Sequence, residues 1–255
     1  MADPVRIDED EVARFSALAE QWWNPAGSFR PLHKINPIRV RYVRDALAAK
    51  AGRNPDRDAP LAGLAILDVG CGGGLLAEPL TRLGAAVTGI DPSERNIAVA
   101  VDHARRMGLS IEYRCAAVDD LAGESRRFDA VIALEVVEHV PDVAAFVAAC
   151  TALANADARL VFATLNRTAK AFAFGIVGAE YVLGWLPRGT HRWSRFVRPS
   201  ELSRALEGAG ARLTGLAGIS YDILSDEWRL SRDLSVNYLA SAEIGPNTKS
   251  GTGQA

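Results

Sequence analysis

A short apolar run that breaks into a glycine-rich turn occupies residues 65–76, which read AILDVGCGGGLL in one-letter code. The apolar run predicts a buried strand, and the glycines predict a tight turn into the start of a helix. Glycine permits positive φ and close approach of a ligand, so Gly70, Gly72 and Gly74 can wrap an adenosine-type molecule at a helix N-terminus. Similar turns also serve as structural elbows, so the spacing alone leaves both roles open.

A second predicted strand that ends in an acid favours nucleoside binding. Residues 85–91, AAVTGID, follow a predicted helix over 75–83 that closes at Gly84. Asp91 lies 17 positions beyond Gly74. In doubly wound sheets, an acid at about this place accepts hydrogen bonds from the ribose hydroxyls. Capping of the next helix is a second role for Asp91, and the two roles are compatible.

The length and composition predict one large domain, or one domain with an insertion, and the cysteines and N-terminus predict a cytoplasmic protein. The chain has 255 residues, 49% of them hydrophobic, which is enough for a substantial core. The net charge of −2 lacks the basic excess of a nucleic-acid surface, so nucleic acid is not an expected partner. The cysteines at 71, 115 and 150 are far apart, and we expect neither a disulfide framework nor a zinc site. Residues 1–10 are acidic and do not resemble a secretory signal.

Two helices and a turn-rich segment are predicted before the glycine turn. Apolar residues recur at helical spacing over 8–23, and a second helix is expected over 40–50. The segment 24–39 between them is rich in turn formers but also carries Phe, His and Arg side chains. Two interpretations stay open for it: a strap packed on the domain surface, or a lid over the cofactor with Arg39 aimed at a carboxylate.

A charged segment follows the apolar strand predicted over 128–134. If the segment is helical, its spacing places Glu135, Glu138 and His139 on one face, beyond the carboxyl end of a strand, where open α/β sheets bind ligands. One interpretation is a solvated helix start, with acids favoured by the helix dipole. The others are His139 as a general base, or two carboxylates and one imidazole as a hard-cation site.

The apolar segment 168–187 interrupts the alternation of strands and helices. Lys170 and Glu180 divide it, so it is too short between charges to span a bilayer. Four arginines follow, at 188, 192, 195 and 198, and this composition is typical of an interfacial helix attracted to anionic lipid. A helical lid over the substrate pocket, or another core helix, is an equal alternative.

The order of elements predicts an α/β fold with a doubly wound, mostly parallel seven-stranded sheet. The last two strands, over 213–221 and 236–242, are expected to pair antiparallel. The predicted layout is an N-terminal part (1–60) with helices and strap, a Rossmann-like domain (61–243) with an apolar insertion (168–198), and a disordered tail (244–255).

These patterns resemble the class I S-adenosylmethionine-dependent methyltransferases, through LDVGCGGG at 67–74 and Asp91 at the end of the next strand. More narrowly, the chain resembles the ubiquinone-biosynthesis O-methyltransferases. The segments that carry the narrower resemblance are QWWN (21–24), FRPLHKINPIR (29–39), LEVVEHV (134–140), ATLNR (163–167), GAEY (178–181), PRGTH (187–191) and VNY (236–238). The chain departs from this family at Leu134, where methionine is common, and at residues 155–157, which replace a Pro-Gly-Gly loop.

The resemblance implies S-adenosylmethionine as the cofactor and a polyprenylated phenol or quinol as the substrate, methylated on ring hydroxyls at two pathway steps. The predicted cofactor-binding residues are Arg39, Asp68, Gly70, Gly72, Gly74, Asp91, Val118 and Leu134. A phenol has a pKa of about 10 and must lose its proton before its oxygen attacks the methyl group. His139 and Glu138 are the predicted catalytic residues. The resemblance also suggests a divalent ion such as Mg²⁺, with Glu135, Glu138 and His139 as its ligands.

A polyprenyl tail resides in the bilayer, so we expect residues 169–193 to touch the membrane surface and admit the tail. The expected location is the cytoplasm, with peripheral association at the inner membrane, and other ubiquinone-biosynthesis proteins are possible partners. Two alternatives remain at this point: methylation of a soluble small phenol, and a non-catalytic lipid-binding scaffold.

Overall fold

The computed structural model describes residues 9–173, 193–222 and 227–245. The strands are β1 (Ala65–Val69), β2 (Ala86–Asp91), β3 (Glu112–Cys115), β4 (Phe128–Leu134), β5 (Ala154–Leu165), β6 (Ala211–Asp222), β7 (Glu227–Ser231) and β8 (Asn237–Ile244). The helices are α1 (Glu9–Ala17), α2 (Arg30–Lys50), α3 (Ala77–Arg82), α4 (Glu94–Arg106), α5 (Val143–Ala152), α6 (Ala169–Ala171) and α7 (Pro199–Gly208).

The strands form one sheet in the order β3-β2-β1-β4-β5-β8-β6-β7. The first five strands are parallel, and β8 pairs antiparallel with both β5 and β6. This confirms the doubly wound, mostly parallel fold and the antiparallel closing strands. Within the described residues the sheet has eight strands rather than seven, because a short charged strand, β7, pairs with β6 at the edge. Its sequence, EWRLS, lacks the apolar run of a buried strand.

Apolar residues on both faces of the sheet build the core. Neighbouring residues of a strand point to opposite faces, so Leu67 packs in the cluster formed with α5 and α7, whereas Ile66 packs with α2 and α3. Strand β4 contributes to both clusters through Val131 and Ile132, which are fully buried. Burial on both faces explains the continuous apolar sequence of this central strand.

Helix α2 begins at Arg30, ten residues before its predicted start, so the turn-rich interpretation of residues 30–39 is wrong. Pro31 lies in the first turn, where the missing N–H would have no helical partner in any case. Pro37 lies inside the helix, which continues to bury Val43 and Leu47 in the core. Packing of this apolar face therefore outweighs the cost of one interior proline.

Most of the predicted insertion and tail lies outside the described residues. Of the interval 168–198, the structure describes residues 168–173 and 193–198, and the tail is described only to residue 245. Within the described parts of the chain, no helix is both long enough and apolar enough to cross a membrane.

Candidate active site

The glycine turn lies between β1 and β2, at the carboxyl ends of parallel strands. Gly70, Gly72 and Gly74 have φ angles of 71°, 52° and 89°, which glycine adopts without the steric cost that a side chain imposes. Close packing also requires glycine here, because a Cβ added to Gly70 would lie 2.6 Å from Cγ2 of Val136. The turn therefore has the backbone conformation predicted for a cofactor loop.

Asp91 connects the glycine turn to the start of α4. Its Oδ2 accepts a hydrogen bond of 3.0 Å from the backbone N–H of Gly72. Its Oδ1 accepts from the N–H of Ser93 at 2.9 Å and from Nδ2 of Asn96 at 3.0 Å. Burial raises the pKa of Asp91, and these three hydrogen bonds lower it in part. Ser93, rather than Asp91, caps α4, since its side chain accepts from the N–H of Asn96.

Asp68 lies within β1, behind the turn, and is buried. Its Oδ2 has no hydrogen-bond partner among the described residues. Burial raises its pKa to about 8, and the nearby charge of Asp91 contributes to the increase. A buried carboxyl group without a cationic partner favours its protonated form.

The side chains of Trp22 and Trp23 cover the glycine turn. A Cβ added to Gly72 would lie 2.3 Å from Cζ2 of Trp22, so this indole packs directly on the glycine backbone. Trp22 Nε1 donates to Oδ1 of Asn96 at 2.9 Å, and Trp23 Nε1 donates to the carbonyl oxygen of Gly73 at 2.9 Å. Both tryptophans contribute to the family resemblance, but the sequence patterns did not predict that they lie at the site. The feature that could have indicated this is a pair of tryptophans directly before a turn-rich segment.

Further contacts hold this N-terminal segment in place. The Trp22 ring stacks on Phe29, with centroids 3.9 Å apart and an interplanar angle of 6°. The Trp23 ring stacks on His103 at 3.5 Å. From α2, Nδ2 of Asn36 donates to the carbonyl oxygen of Leu75 at 2.7 Å. These contacts pack the N-terminal segment on the glycine turn and on α4, as both the strap and the lid interpretations require.

The other predicted cofactor residues lie around the same edge of the sheet. Arg39 is buried on α2 and forms an ion pair with Glu135. Leu134 is the last residue of β4, and Val118 is buried in a 3-10 turn that follows β3. The predicted residues thus come from several elements that converge where open α/β sheets bind ligands.

The segment after β4 is a series of turns, so the predicted helical face is wrong. Glu135 adopts a positive φ of 58°, and α5 begins only at Val143. Among the described residues, no group of three or more His, Cys, Asp or Glu side chains is placed to hold a metal ion. The Glu135 carboxylate is paired with Arg39, whereas Glu138 points into the core. These three predicted magnesium ligands therefore do not form a metal site in this structure.

Glu138 and His139 occupy different surroundings. Glu138 is buried, and its Oε2 accepts a hydrogen bond of 2.8 Å from Oγ1 of Thr164. Its Oε1 has no partner among the described residues. Burial is the main cause that raises the Glu138 pKa; the charge of Glu135 also raises it, whereas His139 lowers it. The His139 ring is partly exposed and packs edge-on against Phe15, with centroids 5.6 Å apart.

The sequence matches known methyltransferases over nearly its whole length. The family model described as a methyltransferase domain matches residues 35–216. A ubiquinone biosynthesis O-methyltransferase from Mesorhizobium japonicum is 51% identical over 247 residues, covering 96% of this chain and 99% of the relative. A protein of the same name from a Chelativorans species is 52% identical over 237 residues, covering 93% and 94%.

Solved structures share the fold at low sequence identity. The magnesium protoporphyrin IX methyltransferase from Synechocystis, crystallised with bound S-adenosylhomocysteine, is 20% identical and has a TM-score of 0.65, covering 93% of this chain and 100% of that one. The plantazolicin methyltransferase with a pentazolic analogue has a TM-score of 0.60 at 14% identity, covering 93% and 98%. These comparisons confirm the predicted family, fold and cofactor. The chain belongs to the ubiquinone biosynthesis O-methyltransferases, a family of S-adenosylmethionine-dependent enzymes.

Proposed function

We propose that this chain transfers a methyl group from S-adenosylmethionine to ring hydroxyls of a polyprenylated phenol or quinol, at both O-methylation steps of ubiquinone biosynthesis. The observation that carries the proposal is the juxtaposition of the glycine turn and Asp91 with His139, which follows the neighbouring strand β4. The names of the relatives support the substrate class.

The cofactor half of the site fits a nucleoside joined to a charged tail. Backbone at Gly70 and Gly72 allows close approach, and Asp91 is suited to bind ribose hydroxyls beside the turn. Arg39 provides a buried cation for a carboxylate. When bound, S-adenosylmethionine supplies a methyl group made electrophilic by its sulfonium.

His139 acts as the general base in this proposal. An imidazole nitrogen accepts the phenol proton while the phenol oxygen attacks the methyl carbon in line. As the carbon–oxygen bond forms, the carbon–sulfur bond would break with its electron pair staying on sulfur, so the products would be a methyl ether and S-adenosylhomocysteine. Glu138 is a positioning residue, since its carboxyl group is held by the hydrogen bond from Thr164 and lies close enough to His139 for the two groups to interact electrostatically. Among the described residues, the side chains of Glu135, Glu138 and His139 are not arranged as a metal site, so no step is assigned to a magnesium ion.

A methyl-transfer assay tests the proposal. The acceptors are a short-chain demethylubiquinol, a prenylated hydroxyphenol, and catechol, which has no tail. We expect turnover with both prenylated acceptors and a higher kcat/KM than with catechol. Equal kcat/KM values would favour a soluble phenol as the natural substrate. Absence of S-adenosylmethionine binding in a calorimetric titration would favour the non-catalytic scaffold.

The proposal extends to the membrane surface. Phe172 and Trp193 border the interval 174–192, which lies outside the described residues, and their exposed fractions are 45% and 40%. Large apolar side chains with nearby arginines are typical of a surface that binds anionic lipid. The predicted contact through residues 169–193 therefore remains our hypothesis, as does peripheral association with the inner membrane.

Co-sedimentation with vesicles that contain phosphatidylglycerol tests this extension. Replacing Phe172 and Trp193 by serine should reduce the bound fraction severalfold. Met107→Ser is the matched control, because Met107 is 48% exposed after α4. Equal binding of the wild type and the double variant would contradict a contribution from these two side chains.

A further inference from the structure

Helix α1 contacts both sides of the candidate site, although it precedes the Rossmann-like domain in the sequence. Asp91 ends β2 and His139 follows β4, and β1 lies between these two strands. Neighbouring strands are about 4.8 Å apart, so the two positions are separated by roughly 10 Å. Phe15 of α1 packs on His139. The next residue, Ser16, has its Oγ 2.5 Å from Oγ of Ser93, two positions beyond Asp91.

The backbone around His139 does not by itself fix the direction of the imidazole. The segment is a turn, in which the N–H of His139 donates to the carbonyl oxygen of Val136 at 2.9 Å. In a helix, contact with the preceding turn restricts the rotamers of a side chain, and an irregular turn lacks that restriction. The orientation of the imidazole therefore depends on side chains that reach it from other parts of the fold.

Phe15 is one of these side chains, and its own position is held by packing. The rings of Phe15 and His139 have centroids 5.6 Å apart and an interplanar angle of 85°, an edge-to-face arrangement that aromatic pairs favour. Phe15 also packs against the buried apolar cluster that contains Trp22, Phe29 and Leu75. Both rings of the contact are only partly buried. The imidazole thus stays accessible to an acceptor on the side that Phe15 leaves open.

We propose that Phe15 is a positioning residue for His139 and holds the imidazole in the orientation in which a ring nitrogen accepts the phenol proton. The inference rests on the proposed function only in taking His139 as the general base. An unrestrained imidazole distributes over several rotamers, and only those directed at the acceptor oxygen support proton transfer. Misplacement of a reacting group by about 1 Å is enough to slow a reaction greatly. Phe15 acts through His139 and takes no part in the proton transfer itself.

A double-mutant cycle with Phe15→Leu and His139→Ala tests this role, with methyl-labelled S-adenosylmethionine and a prenylated phenol at saturation. Leucine keeps an apolar side chain in the cluster but removes the ring. We expect Phe15→Leu to lower kcat about three- to tenfold, as for loss of one aromatic contact. In the His139→Ala background, the same change should alter kcat by less than about twofold, because no imidazole remains to be positioned. Phe15→Tyr retains the ring and should keep kcat within about twofold of wild type.

The matched control is Phe29→Leu, the same substitution in the same apolar cluster. Any loss of kcat in this control should be equal with and without His139. An equal loss in both backgrounds for Phe15→Leu would overturn the proposal in favour of structural packing of α1.

Ser16→Ala is the second variant, since it loosens the attachment of α1 to Ser93 and leaves the apolar cluster intact. Its loss of kcat should also require His139, and a loss that persists without His139 would count against the proposal. Full kcat in His139→Ala alone would show instead that the base assigned in the proposed function is wrong, and the role of Phe15 would fail with it.

Discussion

The indole nitrogen of Trp23 donates a hydrogen bond of 2.9 Å to the carbonyl oxygen of Gly73. The Trp23 ring also stacks on His103, whose Nδ1 lies 2.5 Å from a carboxylate oxygen of the buried Glu78. The N-terminal segment, the glycine turn and α4 are thereby connected through one side chain. Cofactor affinity should therefore depend on a residue that lies before the Rossmann-like domain in the sequence.

Trp23→Phe should weaken S-adenosylmethionine binding about three- to tenfold, because it removes a hydrogen bond worth roughly 1 kcal/mol and leaves the Gly73 carbonyl unpaired. The aromatic ring is retained, so stacking on His103 should persist. Trp228→Phe is the matched control, since Trp228 Nε1 has no hydrogen-bond partner among the described residues. Fluorescence or calorimetric titration measures both variants, and equal affinities would contradict a role for this hydrogen bond.

Gly72→Ala should destabilise the protein more than Gly108→Ala. Both glycines have positive φ, 52° and 67°, so alanine imposes a similar backbone cost of about 1–2 kcal/mol at each. A new Cβ at Gly72 meets the Trp22 ring at 2.3 Å, whereas at Gly108 it meets nothing within 4 Å. We expect an additional cost of roughly 1–3 kcal/mol at Gly72. Urea denaturation measures the difference, and similar losses for the two variants would exclude the clash.

Residue patterns predicted the elements that bury apolar side chains on a regular sheet. Strand β4 was predicted with its observed bounds because both of its faces are buried, so hydrophobicity alone identifies it. Asp91 was predicted beside the glycine turn because the chain length between them is set by one helix and one strand. The edge strand β7 was missed, since a short exposed strand has no continuous apolar run.

The positions of the side chains at the site could be predicted less well from the sequence. The spacing of Glu135, Glu138 and His139 suits one face of a helix, yet a positive φ at Glu135 starts a turn and directs these side chains to different partners. Long-range contacts decide this conformation, among them the ion pair with Arg39, which lies 96 positions away. Local periodicity contains no information on such contacts. The packing of Trp22 on Gly72 could not be predicted from the sequence either, because it is also a long-range contact.

Stability should fall as the pH rises from about 4 to 8, in part because of Asp68. Its pKa is raised from 3.8 to about 8 in the folded state by burial and by the charge of Asp91. In this pH window the folded protein keeps a proton that the unfolded chain releases, so stabilisation present at low pH is lost progressively. In the Asp68→Asn variant, the free energy of unfolding should fall less steeply with pH, by up to about 1.4 kcal/mol per pH unit.

Urea denaturation between pH 5 and 8 measures this slope. The pH dependence should not vanish completely in Asp68→Asn, because burial also raises the pKa values of Glu138 and Asp91. Asp102→Asn serves as the control, since the Asp102 pKa is lowered by its arginine neighbours and the residue lies on the surface. A slope unchanged from wild type in Asp68→Asn would show that Asp68 is ionised in the folded state.

His139→Ala should lower kcat for prenylated phenols by roughly 10²- to 10⁴-fold, because a positioned general base contributes about that much. Binding of S-adenosylmethionine should change little, since Asp91 and Arg39 hold the cofactor in the proposed site. An acceptor whose phenol pKa lies below the assay pH supplies the internal control. It is already ionised and needs no base, so it should lose much less activity in the variant. Equal losses of kcat for acidic and ordinary phenols would rule out proton transfer as the role of His139 and leave it a role in positioning the acceptor.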